Sequence, residues 1–243
     1  MLPMPINEPG FAPYFRSSHA QAATDQPLLQ QAYALRYQVY CVECAFLEST
    51  SYPAAVETDA YDQRSAHFCA FNMAEELVGY VRLVQTEPGQ NFPFQSHCRL
   101  ESDGAALPTS TPSVEISRLI VRQDYRRRRY DNLAGVTVQE SDTAPAPEKR
   151  RNTPQILLSL YRQMYAYSLC NGIRYWYAAM EPSLARVLMR MQFGFVQVGP
   201  QTDYYGVVAP YLADLRVLET QIGESNPPLL AWLRQPEAVR RSV

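Results

Sequence analysis

Lysine is almost missing from this chain: Lys149 stands alone, and every other basic residue is an arginine. A large charge of either sign is missing too. Lys plus Arg number 22 against 24 Asp plus Glu, a net charge of −2, so no global field draws the chain to nucleic acid. No apolar run approaches the length needed to cross a bilayer, so no membrane span is expected. The first residues lack a charged segment followed by an apolar one, and no signal peptide is read there. The cysteines are only five, odd in number and irregularly spaced (Cys41, Cys44, Cys69, Cys98, Cys170), which argues against a disulfide framework. The setting expected from this is a reducing cytoplasm with free thiols. What is present is a core: 47% of 243 residues are apolar, enough for one domain of generous size with tails. Seventeen tyrosines give that core and its rim many apolar bodies with polar tips, which suits a site handling a greasy ligand.

Residues 1–24, rich in Pro, Ala, Ser and Gln without a period, read as a loose arm. Asp25 then offers an N-cap to QPLLQQAYALRYQVYCVECAFL. There Leu28, Ala32, Leu35, Val39, Val42 and Phe46 recur at helical spacing, with Arg36, Tyr40 and Glu43 along the edge. The acidic stretch 48–65, containing ETDAYD, reads as an ordered loop. SAHFCAFNM and ELVGYVRLVQ form a hairpin turning at Ala74 and Glu75, and SVEISRLIV is the next strand. Residues 122–152 are a basic, low-order insert. Thr153-Pro154 then opens a helix that Asn171-Gly172 closes. IRYWYAAM, PSLARVLMRMQ and FGFVQVGP follow as strand, helix and strand, and the tail 222–243 carries one apolar patch, LLAWL, able to dock on the body. The folded domain is thus 25–221, and the element order predicts a mixed α/β (α+β) sheet flanked by helices.

The strand SVEISRLIV poses a problem. Val114 and Ile116 share one face and Glu115 and Ser117 the other, yet Leu119 and Val121 continue the Glu115 parity. One extra residue, a β-bulge, produces such a phase flip, and it turns Glu115 and Arg118 into one pocket. A buried carboxylate or guanidinium is costly unless paired or put to chemical use.

In order, RYQVY (36–40), ETDAYD (57–62), GYVRL (79–83) and EISR (115–118) resemble the acyl-homoserine lactone (autoinducer) synthases, relatives of the GCN5-related N-acetyltransferases. The family pattern falls on Arg36 and Tyr40, Asp59 and Asp62, Arg82, and Glu115 with Arg118; Phe46 stands near where lactone synthases carry a Trp. RYQVYCVECAFL with FPFQSHCRLE is similar to a branch nearer still, the acyltransferases associated with PEP-CTERM/exosortase systems, themselves similar to N-acyl amino acid synthases. The resemblance spans roughly residues 25–200. It implies an N-acetyltransferase-like, autoinducer-synthase-like fold and transfer of a fatty acyl group from a thioester to an amine. The donor it implies is acyl carrier protein, or coenzyme A; no bound cofactor and no metal are expected.

Such a reaction needs a base, since an α-amino group titrates near about 7.7–8.0 and attacks only when neutral. Glu115 is the candidate, directly or through water, with Arg118 beside it. A backbone N–H freed by the bulge would serve the thioester oxygen. Arg36 and Arg82 suit an acceptor carboxylate. Asp59 and Asp62 suit its ammonium, or hold those arginines. Tyr40 and Phe46 pack and wall the pocket. Arg126, Arg127, Arg128 and Arg129, with Lys149, Arg150 and Arg151, form a basic patch that would steer an acidic carrier protein. Competing readings are a lactone synthase using S-adenosylmethionine, a non-catalytic acyl-binding or assembly protein, and a cysteine-dependent hydrolase. A Cys41–Cys44 zinc site completed by His67 and Cys69 has metal spacing, but its first pair lies within a helix.

Overall fold

A computed structural model describes residues 16–20, 25–72, 74–87, 89–101, 112–125 and 153–235. The strands are β1 (Arg16–Ala20), β2 (Ser65–Phe71), β3 (Leu77–Val84), β4 (Ser113–Val121), β5 (Tyr175–Met180), β6 (Val196–Gln197), β7 (Thr202–Asp203) and β8 (Val207–Asp214). They lie in the order β1-β2-β3-β4-β5-β8-β6, with β7 pairing from β8. Every neighbouring pair is antiparallel except β4 and β5, which run parallel and touch only from Ser113–Tyr175 to Glu115–Tyr177. Beyond Glu115 the two strands part, and a cleft opens through the sheet.

Among the described residues five α-helices flank it: α1 (Gln26–Tyr37), α2 (Thr153–Cys170), α3 (Pro182–Arg190), α4 (Leu215–Ser225) and α5 (Pro227–Arg234). Strand alternation sorts the side chains between two cores. Phe68, Val81, Leu83, Val114, Ile116, Trp176, Ala178 and Met180 meet α2 in the larger one. Cys69, Phe71, Tyr80 and Ile120 meet Ala32 and Val39 of the first helix on the opposite face. A third cluster on β5 and β8 gathers Phe92, Phe94, Cys98, Tyr177 and Val208. Mixed sheet and flanking helices are the class expected.

Four details differ from the sequence reading. Residues 16–20 are not part of a loose arm; they form β1 and pair with β2. FGFVQVGP yields only the two-residue β6, and the long strand is β8, whose Pro210 masks a pattern that reads poorly as strand. Leu215–Ser225 is a helix with Asp214 accepting from the Arg216 N–H at its start. Finally, α1 does not run on as one amphipathic helix. At Gln38–Glu43 it widens into a π-helix, which rotates the phase. Within α1 the buried face is Leu29, Ala32, Tyr33 and Arg36, and past the start of the π-helix Val39 is buried while Val42 is 52% exposed. The hairpin turn lies where expected: Asn72 Oδ1 accepts from the Ala74 and Glu76 N–H groups, and Glu75 takes positive φ (59°). Gly172 (φ 66°) ends α2, and LLAWL docks as α5, with Trp232 and Leu233 buried.

Candidate active site

Two steps along β3, from Tyr80 to Arg82, match three along β4, from Ile120 to Ser117. This is the extra residue the parity flip demands, and Arg118 holds it with φ of +56°. A non-glycine residue there is strained by about 1–3 kcal/mol and persists only where its surroundings over-determine it. The bulge brings Glu115, Ser117 and Arg118 to the edge of the cleft between β4 and β5, a cavity of ≈ 150 Å³.

Glu115 is buried, 5% exposed. One oxygen accepts from the Phe94 N–H (3.1 Å). Phe94 reaches it because FPFQS turns tightly, the Gln95 side chain accepting from the Phe92 N–H (2.7 Å) and the Phe94 ring stacking near Tyr177. Desolvation lifts the Glu115 pKa to about 7; the Phe94 N–H, Arg82, Arg118 and Ser117 pull the other way and lose. Arg118 does not pair with Glu115. It turns to Glu57 (3.1 Å) and Asp59 (3.2 Å), its guanidinium over the Tyr40 ring.

Behind the bulge lies a cluster of three arginines and three acids. Arg36 donates to Glu57 (2.5 Å) and Asp62 (2.6 Å). Arg82 donates to Asp62 (2.6 Å) and, through two nitrogens, to both oxygens of Asp59 (2.7 Å each). Arg36, Arg82 and Glu57 are wholly buried. Burial pushes Glu57 and Asp59 up, but the guanidiniums outweigh it: Glu57 ends below its usual range and Asp59 falls to about 2. Underneath, His67 Nε2 donates to the Asp62 carbonyl (3.0 Å), which leaves Nδ1 to accept from the Tyr80 hydroxyl (2.7 Å). Burial lowers its pKa and keeps the ring neutral.

The structure thus brings Glu115, Arg118, Tyr40 and Phe46 to the cleft and sets Arg36, Arg82, Asp59 and Asp62 behind it. Arg36 and Arg82, expected to meet an acceptor carboxylate, are enclosed and bound to acids of the chain. Of the cluster, Arg118 and Asp59 keep open surface, with side chains 19% and 22% exposed. Sequence reasoning missed Glu57, although ETDAYD displayed it and three buried arginines call for three acids. It also missed the Phe94 N–H, which no side-chain pattern encodes, and the pair Tyr204–Tyr205. Tyr205 stacks on Phe46 (5.3 Å), Tyr204 on His97 (3.9 Å), and both tyrosines line the cleft. The basic residues Arg126–Arg129 and Lys149–Arg151 lie outside the described residues. His67 has both nitrogens engaged, and among the described residues no three His, Cys, Asp or Glu side chains gather to hold a metal ion. Burial raises the thiols of Cys41, Cys69 and Cys98, which weakens each as a nucleophile. No described helix is long and apolar enough to cross a membrane.

Residues 35–135 match the family of the acetyltransferase (GNAT) domain. No curated protein matches the sequence. Among solved structures the fold is similar to that of TofI, determined in a ternary complex with an inhibitor and MTA (TM-score 0.59, 14% identity, covering 89% of this chain and 99% of that one). It is similar to BjaI, a CoA-dependent acyl-homoserine lactone synthase determined with SAM and isopentyl-CoA (TM-score 0.59, 18% identity, 90% and 98%). It is also similar to the AHL synthase LasI (TM-score 0.55, 14% identity, 83% and 90%). At these identities the likeness is one of fold.

Proposed function

We propose that this protein is an N-acyltransferase that moves a fatty acyl group from a thioester to the amine of an amino acid or related acceptor. An acyltransferase is what the domain match and the synthase-like fold support. The observation that carries the reading is Glu115, a buried carboxyl with its pKa near 7 at the lip of a cleft that pierces the sheet. A base so tuned is about half ionised at neutral pH, yet basic enough to take a proton from an ammonium titrating near about 8.

The thioester carbonyl would sit at the bulge, its oxygen facing a backbone N–H of Arg118 or Leu119, which drop out of register with β3. The amine attacks the carbonyl carbon, Glu115 takes its proton, and the thiolate leaves. The acceptor enters from the side of Tyr40, Arg118 and Tyr205, where partly open Arg118 and Asp59 offer a cation and an anion for its two ends. The β4 and β5 edges that face each other across the cleft suit the amides of a pantetheine arm, which can hydrogen-bond as a strand does. The basic runs at 126–129 and 149–151 favour acyl carrier protein as donor, with coenzyme A as the other candidate. The branch associated with PEP-CTERM/exosortase systems is the one whose RYQVYCVECAFL and FPFQSHCRLE this chain resembles.

A second reading, lactone synthesis from S-adenosylmethionine, is favoured by the fold shared with BjaI, which was solved with SAM. Incubating the protein with acyl-carrier and acyl-coenzyme A thioesters and a panel of amines, then weighing the products, separates the readings. An open amide of an amino acid supports the first and a lactone the second. No amide from any pair overturns both.

A further inference from the structure

On the α2 side of the sheet, the cleft wall is apolar: Ile116 and Leu119 of β4, Ala178 and Met180 of β5, and Leu184 of α3. Tyr161 of α2 completes it. This tyrosine is 2% exposed, its ring held edge-on by Phe193 (4.7 Å) and Trp176 (5.9 Å). Its hydroxyl has no hydrogen-bond partner among the described residues. Nor is it one of the side-chain atoms that, among the described residues, are sealed without a partner: Arg36 Nη2, Arg82 Nε and Gln155 Oε1. Tyr161 keeps a small accessible surface and lines the cavity. Of the other buried tyrosines, Tyr80 bonds His67 and Tyr165 bonds Glu219, while Tyr33, Tyr177 and Tyr211 share the lack of a hydroxyl partner but do not line this cavity. A buried hydroxyl left without a partner is costly, and a phenylalanine would fill the same space without that cost.

Resting on the acyl-transfer reading, we propose that Tyr161 selects an oxygenated acyl chain. A hydroxyl or keto oxygen on the chain, past the thioester carbonyl, accepts the hydrogen bond of the Tyr161 hydroxyl inside an otherwise apolar slot. The thioester oxygen itself stays at the bulge, on the backbone N–H of Arg118 or Leu119. Tyr161 is a specificity residue in this scheme and takes no part in the proton transfer.

The test pairs acyl-pantetheine thioesters of equal length, plain or carrying a hydroxyl or keto group at successive positions. Calorimetric binding to the full chain, without amine, is compared for the protein and for Tyr161→Phe. The expected result is about tenfold tighter binding of one oxygenated donor, lost in Tyr161→Phe because that donor weakens while the plain one does not. In turnover the same ratio appears in kcat/KM. Equal binding of plain and oxygenated donors by the unmutated protein overturns the proposal, as does an equal loss for both in Tyr161→Phe. Tyr161→Met serves in its place if Tyr161→Phe does not fold, and a preference that survives intact in a folded variant also overturns the proposal. A binding preference without transfer to any amine would uphold Tyr161 as the selector and sink the catalytic reading instead.

Discussion

At the scale of the residue, Glu115 responds to pH in the opposite sense to Glu57 and Asp59 behind it. Glu115 has a folded pKa of about 7, raised above its usual value, so between that value and about 7 the folded state holds a proton the unfolded chain has lost. Stability from this residue therefore falls as pH rises through that window, and activity rises as the base ionises. Glu115→Gln should erase the limb near pH 7, lower kcat by about 10²–10⁴, and raise the melting temperature at pH 8. A rate profile and thermal melts at several pH values check both halves. Glu57 and Asp59 do the reverse. Their pKa values lie below the unfolded ones, so they stabilise the fold above about pH 4 and lose that contribution as pH falls through their folded values, the one for Asp59 being about 2. Removing the Glu57 charge strands Arg36 and Arg118, and Glu57→Gln should cost about 3–5 kcal/mol in urea unfolding. The parity break in SVEISRLIV made Glu115 and Arg118 legible in the sequence. Glu57 was not, because the extent of burial that makes an acid obligatory is a property of the assembled cluster.

At the scale of the element, the 92–101 segment decides how Glu115 is held. It is tied to the β6 edge by the Glu101 N–H donating to the Val198 carbonyl (2.8 Å). At Gly199 a Cβ would stand 2.1 Å from the Arg99 carbonyl oxygen, a backbone atom that cannot swing away. Gly199→Ala should displace this segment, loosen the Phe94 N–H from Glu115 and push the carboxyl pKa higher still. The expected readout is a rate profile whose acid limb moves to higher pH, with no change in the residues touching substrate. The elements were legible where periodicity is simple, as in the hairpin, β5 and α3. They were not where a π-turn rotates the phase after Tyr37, or where Pro210 sits in a strand paired on both edges.

At the scale of the whole molecule, charge is balanced overall and segregated locally. If an acidic carrier docks on the 126–129 and 149–151 runs, KM for carrier-bound donor should rise steeply with salt, while KM for a bare pantetheine thioester stays flat. Replacing Arg126–Arg129 by serine should reproduce the high-salt value at low salt, read in steady-state kinetics. The sheet's layout carries one more consequence. Its halves are laced by three rungs, Ser113–Tyr175 to Glu115–Tyr177, and then gape like a half-drawn zipper. Raw strand margins normally invite other chains to stick; here they face inward and are sheltered from that fate. Whatever fills the gap must fasten both halves at once, so a donor thioester should raise the unfolding temperature in proportion to its occupancy, and slow amide exchange along 178–180 before anywhere else.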